Sequence, residues 1–535
     1  MANATNVDAL IVGAGFGGIY QLKRLRDLGM NAVVVDKASD VGGTWYWNRY
    51  PGAMSDTESY LYRFTWDKED LQTYPWENTY LSQSEILAYL KHVVAKHNLR
   101  QHMKLSTEML SADWDADHWR VTTSTGEVFH ARYLITALGL LSVAVYPDIP
   151  GLDTFKGQKC HTSAWDPSIN LEGKRVGIIG CGSTGVQVIT EIADKVGQLY
   201  CFQRHPQYSV PSGIKPVTPE YRDWVNKNYE KIIADQKTSL TCFGIPESTT
   251  PYSQVPPAER EAVFEKLWEE GNAFRFMFAG FSDIGSDKEA NEAACAFIRK
   301  KIAQIVKDPE KARKLTPHDA YARRPVCDHG YYKQFNRDNV DIVHLQEEPI
   351  QSITPTGIMT TARHYDLDVL IFATGFDAID GSYSRVLIRG ANGQTLKEHW
   401  SDGPRAYLGL NVSGFPNMFM ITGPQGPFTN VPPMIEQHVD INTKIIQHTE
   451  AMRLATGKAV AEVRQEAEDE WVEHCNALAN ATLFPQTPSW IFGNNVEGKP
   501  IASRYYMGGM VNYLKYVNTM IQDGYRDFKP IGQAA

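Results

Sequence analysis

Long apolar runs are missing from this chain. No stretch of about 18 apolar residues occurs among its 535, so no membrane span is expected. The opening residues carry no basic stretch before the first apolar run, so a secretory leader is not expected either. Cysteine is scarce: there are seven, an odd number, scattered and without a C-x-x-C pair. That speaks against a zinc site or a redox disulfide and fits free thiols in a reducing cytoplasm. Positive charge is not in excess. The net charge of -9 argues against nucleic acid as the main partner, because phosphate binding needs a basic face. What remains is the composition of an ordinary globular protein, 43% hydrophobic and 21% charged, with length for about three or four domains.

Two segments look alike. "VDALIVGAGFGGIYQLKRLRDLGMNAVVVDK" and "GKRVGIIGCGSTGVQVITEIADKVGQLYCFQR" each read as a buried strand, a glycine turn, an amphipathic helix and a second strand. Continuous apolar runs suit parallel strands covered on both faces. The expected fold is α/β, with two Rossmann-like dinucleotide-binding domains. Beyond the second of them, between about 215 and 320, "PAEREAVFEKLWEEGNAFRFMF" and "ANEAACAFIRKKIAQIVKDPEKARKL" are helical by period and charge pairing, which predicts a helical insertion. Near the end, a Pro- and Gly-rich turn around 421–433 precedes a long helix starting at "MIEQHV".

In the first turn Gly13, Gly15 and Gly18 make G-x-G-x-x-G, with Phe16 inside it. The first glycine allows the tight turn, the second lets a pyrophosphate approach, and the third lets helix and strand pack closely. The phosphates then meet the helix N-terminus. Asp36 closes the next strand at the spacing of an acid that takes a ribose hydroxyl, and Lys37 follows it. The second turn has Gly180, Gly182 and Gly185, but its second strand ends in Gln203-Arg204. A carboxylate there would repel a 2′-phosphate, whereas Arg204 would hold one. The first unit is therefore expected to bind FAD and the second NADPH. Flavin beside nicotinamide is the pairing for hydride transfer and oxygen chemistry.

"GGTWYWNRYPGAMSD", Gly42 to Asp56, resembles the fingerprint of type I Baeyer–Villiger monooxygenases. "FKGQKCHTSAW" is similar to that family's other signature, F-x-G-x-x-x-H-x-x-x-W. "FQRHPQYSVPSG", "YARRPVCDHGYY", "FATGFDA", "GPQGPFTN" and "SWIFGNN" extend the likeness to cyclohexanone monooxygenase-type members nearly end to end. The resemblance implies NADPH-driven reduction of FAD, a flavin peroxide anion, and oxygenation of ketones to esters or lactones.

By the same resemblance Arg324, in "YARRP", is the fixed cation and Asp56 the acid that holds it. A fixed charge suits arginine, which does not lose its proton on burial. Gly43, Thr44, Trp45 and Tyr62 are expected at the flavin. Ser183, Thr184, Gln187, Arg204, Arg323 and Trp490 are expected at NADP. Phe243, Phe276, Phe428 and Thr429 are candidates for the substrate pocket, with simple core packing an open alternative for the three phenylalanines. His161 is expected to hold a domain junction, with Gly157 allowing a turn beside it, and not to act as a base. Three departures from the family pattern stand out. Arg323 sits where relatives have Lys, Gln425 replaces the Asn of G-P-N-G, and the segment after Leu141 lacks an early Pro.

The expected organisation is an FAD domain in two parts, 1–145 and 385–535, around an NADP domain at 146–214 and 323–384. The helical insertion occupies 215–322. No metal or nucleic-acid partner is expected, and the chain should be a monomer. An N- or S-oxygenase, and a non-enzymatic flavin redox sensor, remain as rivals. A disulfide reductase is disfavoured by the missing C-x-x-C.

Overall fold

The computed structural model describes residues 4–532, so the outermost residues of the first and last expected segments, 1–3 and 533–535, lie outside it. Two sheets organise the chain, one mixed and one wholly parallel. The first unit begins with strand Thr5–Val12, helix Phe16–Asp27 and strand Ala32–Val35, and the two strands pair in parallel from Ala9↔Ala32. Alternate residues of the first strand feed different cores. Ala9 and Ile11 pack on one face, Leu10 and Val12 on the other. That two-sided burial is why the strand is apolar throughout.

Strand Val128–Thr136 changes partner along its length. Its first half pairs antiparallel with His118–Thr123, and its second half pairs parallel with Met418–Met420. Leu387–Arg389 joins the opposite edge of this eight-stranded sheet through Met109–Asp115. The sheet thus draws strands from both ends of the chain.

The second sheet has five strands, in the order Val340–His344, Gln198–Gln203, Arg175–Ile179, Val369–Phe372 and Gln158–His161, all parallel. Helix Ser183–Ile192 follows its glycine turn as helix Phe16–Asp27 follows the first. Between residues 219 and 315 the chain forms five helices, the longest being Pro219–Thr238 and Lys288–Ile305. The late helix runs Val431–Thr456, three residues earlier than the sequence reading. Pro432 and Pro433 fall in its first turn, where the missing N–H groups would have no partner anyway.

The segment Phe155–Trp165 crosses into the second sheet. Phe155 is buried in a cluster with Ile179, Phe202 and Phe372. Gly157 has no positive φ, so the expected turn is not its reason for being glycine. A Cβ there would lie 2.5 Å from both the Asp368 carbonyl oxygen and the Phe155 ring. His161 ends the edge strand, and its Nδ1 accepts from the Ser163 N–H at 3.1 Å. Burial pushes its pKa down to about 4, so it is neutral.

Candidate active site

Gly13 has φ +112, and a Cβ on it would sit 2.2 Å from the Ala137 carbonyl oxygen. Gly180 repeats this geometry, with φ +107 and a Cβ 2.3 Å from the Ala373 oxygen. Only glycine fits at either place. Gly18 and Gly185 serve close packing, since a Cβ on each would strike the carbonyl of Gly13 and Gly180 respectively. Gly15 is backed by Gly43 of the fingerprint, whose own Cβ would come within 2.9 Å of the Gly15 Cα. Each turn leaves the N-terminus of its helix facing the same cavity.

Asp36 is gripped on both oxygens. The Ala14 N–H donates to Oδ2 at 2.6 Å and the Ala38 N–H to Oδ1 at 2.7 Å. Burial raises its pKa against those two bonds. An ionised carboxylate has about four acceptor sites, so two remain for ribose hydroxyls.

The cavity measures about 850 Å³. From the first unit it is lined by Gly13, Gly15, Phe16, Asp36, Lys37, Gly43, Thr44, Trp45, Asp56 and Tyr62. From the second come Gly182, Ser183, Thr184, Gln187, Arg204, Arg323 and Arg324. Phe243, Phe428, Thr429 and Trp490 line it as well. Gly18, Gly180 and Gly185 lie behind the surface.

Arg324 and Asp56, 268 residues apart in sequence, meet here. The Arg324 Nη2 donates to Asp56 Oδ2 at 2.7 Å, and its Nη1 donates to Ser183 Oγ at 2.7 Å. The guanidinium carbon stands 5.4 Å over the Phe274 ring. Burial disfavours the Arg324 charge, but Asp56 outweighs it, and the pKa lies above the ordinary arginine value. One cation therefore touches the flavin-side fingerprint and the second glycine turn together.

One reading needs correction, and a second gains a further partner. Phe276 does not line the cavity. It is fully buried against Phe264 and Phe297. Phe274 lines the cavity instead, stacked on Phe243 with ring centroids 4.0 Å apart. Residues two apart on a helix point to opposite sides, so only one of the pair can face inward. Gln187 lines the cavity, but its amide is already engaged. Tyr50 Oη donates to its Oε1 at 2.8 Å, and its Nε2 donates to the Met54 carbonyl at 3.2 Å. It ties the second unit's helix to the fingerprint.

Trp490 lies on an irregular stretch whose Asn495 Nδ2 donates to the Phe376 carbonyl at 2.7 Å. Arg323 is half-buried, with its Nε donating to the Pro488 carbonyl at 3.2 Å. His205, not singled out from sequence, lines the cavity beside Arg204. Its only signal was adjacency to that arginine.

Gln425 is not in the cavity wall. It is 1% exposed at φ +58 and clamps three strands of chain. Its Oε1 accepts from the Ala406 N–H at 2.8 Å, and its Nε2 donates to the carbonyls of Pro404 at 2.6 Å and Ser503 at 3.1 Å.

Two dinucleotide turns opening on one cavity, with an arginine–carboxylate pair between them, define an oxidoreductase with two dinucleotide sites. Residues 10–249 match the pyridine nucleotide-disulphide oxidoreductase family. A phenazine N-monooxygenase of Lysobacter antibioticus is 47% identical, covering 98% of this chain and 97% of that protein. A Baeyer–Villiger monooxygenase of Pseudooceanicola batsensis is 47% identical over 97% of this chain and 95% of its own. The crystal structure of cyclohexanone monooxygenase from Rhodococcus sp. Phi1 bound to NADP⁺ superposes with a TM-score of 0.97 at 49% identity, covering 99% of this chain and all of that one. The chain belongs to the Baeyer–Villiger monooxygenases.

Proposed function

We propose that the chain is an FAD-dependent, NADPH- and oxygen-consuming monooxygenase that converts cyclic or aliphatic ketones to lactones or esters. The observation that carries this reading is the Arg324–Asp56 pair in the cavity that both glycine turns line. The two cradles fit dinucleotides: each has a glycine that no other residue could replace, and the first has a carboxylate with free acceptor sites. Gly13, Gly15, Phe16, Asp36, Lys37, Gly43, Thr44, Trp45 and Tyr62 would hold FAD. Gly182, Ser183, Thr184, Arg204, Arg323 and Trp490 would hold NADPH, with Gln187 bracing the junction. When bound, FAD supplies the redox chemistry, taking electrons from NADPH and passing them to oxygen.

The chain's own residues do the rest. Arg324 offers a permanent cation to the negative charge that develops during ketone oxygenation. An arginine keeps its proton there, where a buried lysine would tend to lose it. Asp56 fixes the guanidinium by a charge-assisted bond. Phe243, Phe274 and Phe428 wall the cavity with apolar surface and keep water from it, while Thr429 contributes a hydroxyl at its edge. No general base is required of His161, which is neutral and lies outside the cavity wall.

The test is a product assay on FAD-loaded protein with NADPH, air and a ketone panel including cyclohexanone. An ester or lactone with one added oxygen is expected. Arg324→Ala should keep flavin reduction and lose the ester; normal lactone output from that variant would remove Arg324 from the mechanism. N-oxygenation is a second reading, favoured by the similarity to a phenazine N-monooxygenase. An aromatic nitrogen heterocycle in the same panel separates the two. No helix among the described residues is long and apolar enough to cross a membrane. Seven buried free cysteines support a reducing cytoplasm as the location. We read the chain as a monomer, which sedimentation would check.

A further inference from the structure

We propose that Asn272 is a positioning residue for oxygenation, holding Asp56 and Phe274 in register on two sides of Arg324. The inference rests on the functional reading above.

Asn272 immediately precedes helix Ala273–Phe278, is 3% exposed, and has φ +77 and ψ 114. That backbone conformation is strained for any residue with a Cβ, and glycine would adopt it at no steric cost. Strain retained at a buried position calls for a compensating contact. The amide supplies it. Oδ1 accepts from the N–H groups of Phe274 at 2.9 Å and Arg275 at 3.2 Å, capping the helix. Nδ2 donates to the Asp56 carbonyl at 3.0 Å and to the Tyr80 hydroxyl at 3.1 Å. The Asn272 N–H donates to the Pro211 carbonyl at 2.8 Å, and its own carbonyl accepts from Phe276 at 2.9 Å. Every polar group of the residue is paired.

Its partners identify the task. Asp56 lies on strand Met54–Glu58 and supplies the carboxylate of the Arg324 pair. Phe274 lies on the capped helix and supplies the ring under the guanidinium. One buried amide therefore bonds to both residues that touch the Arg324 head group from outside its own segment and the second glycine turn. A second tie runs parallel to it: Arg275 pairs with Glu58 at 2.9 Å. Loss of the amide then lets strand and helix shift relative to each other without parting. Misplacing catalytic groups by about 1 Å costs on the order of 100-fold in rate.

Asn272→Gly is the decisive variant, since it relaxes the backbone and deletes only the amide. The kcat for ester formation should fall about tenfold. The KM for NADPH and the anaerobic rate of flavin reduction should stay at native values. NADPH and oxygen would then end increasingly as hydrogen peroxide, which a peroxidase-coupled assay reads. Asn272→Asp keeps the cap but turns an oxygen toward the Asp56 carbonyl, and the same split is expected. A native kcat and a native ester-to-NADPH ratio in Asn272→Gly would overturn the proposal. So would an equal fall in every step together with a lower melting temperature, because that is what a merely structural residue does. If the native chain made no ester, the functional reading would go, and this inference with it. If the native chain and Asn272→Gly were equally coupled, only the inference would go.

Discussion

Replacing Arg324 by lysine keeps the charge and removes the geometry, so it separates the two contributions. The guanidinium spends different nitrogens on different partners. Nη2 reaches Asp56 at 2.7 Å, while Nη1 reaches Ser183 at 2.7 Å and the Pro325 carbonyl at 3.1 Å. Its flat face lies 5.4 Å over Phe274. A shorter, single ammonium cannot span Asp56 and Ser183 together. Losing one charge-assisted bond costs about 1.5–3 kcal/mol, and part of the cation–π contact, about 0.5–1 kcal/mol, goes with it. Taking about 2–3 kcal/mol of this from the oxygenation step, ester formation should fall roughly 30- to 160-fold. A new pH dependence should also appear. Lysine titrates near 10.4 in water; burial lowers that value, and a bond kept to Asp56 raises it. An ammonium that settles on Ser183 instead of Asp56 should lose activity as pH rises toward 9, where the native arginine does not titrate. The assay has two arms: anaerobic flavin bleaching by NADPH in a stopped-flow instrument, and ester yield by gas chromatography between pH 6 and 9. Flavin reduction should be untouched. Native ester yield from Arg324→Lys, or an equal fall in both arms, would refute the argument.

Three further outcomes are expected. Gln425→Ala strands the Ala406 N–H and the carbonyls of Pro404 and Ser503 inside the protein. That costs about 2–5 kcal/mol and should lower the thermal midpoint by roughly 2–4 °C; an unchanged midpoint would mean the clamp is idle. Arg204→Ser should cut the preference for NADPH over NADH about tenfold or more, by loss of charge-assisted bonds to the 2′-phosphate, and the ratio of kcat/KM values for the two cofactors reads it. Burial raises the Glu436 pKa to about 7 against bonds from the Thr65 N–H and hydroxyl. A raised carboxyl adds stability that is complete below its unfolded value of 4.5 and is lost as pH rises through 7. Melting of Glu436→Gln should accordingly gain on the native chain between pH 5 and 8, by up to about 3 kcal/mol, and a gap independent of pH would show that the group does not titrate there.

What was legible in the sequence divides along a physical line. The glycine turns were readable because each carries its whole requirement within a few residues. The positive φ of Gly13 and the close approach of Gly18 to its carbonyl are local facts of one strand-turn-helix. Asp36, too, is bonded by Ala14 within the same unit. The Arg324–Asp56 contact has no such local sign, since no spacing announces a bond across 268 residues. Only a likeness between whole motifs brought the two names together. Where the reading slipped, packing between distant segments had decided the matter. Helix Ala273–Phe278 is six residues long, too short for its period to say which phenylalanine faces inward. Gln187 lines the cavity where the reading toward a phosphate put it, but its bonds to Tyr50 and the Met54 carbonyl, from the fingerprint, had no sign in the sequence. Gly157 does sit at a bend, but what demands glycine there is the close approach of Phe155 and Asp368. Asn272 raised no signal at all, because nothing about an asparagine after a glycine distinguishes a strained cap from a loop. Its importance exists only where the insertion meets the fingerprint, at the same junction that brings Arg324 to Asp56.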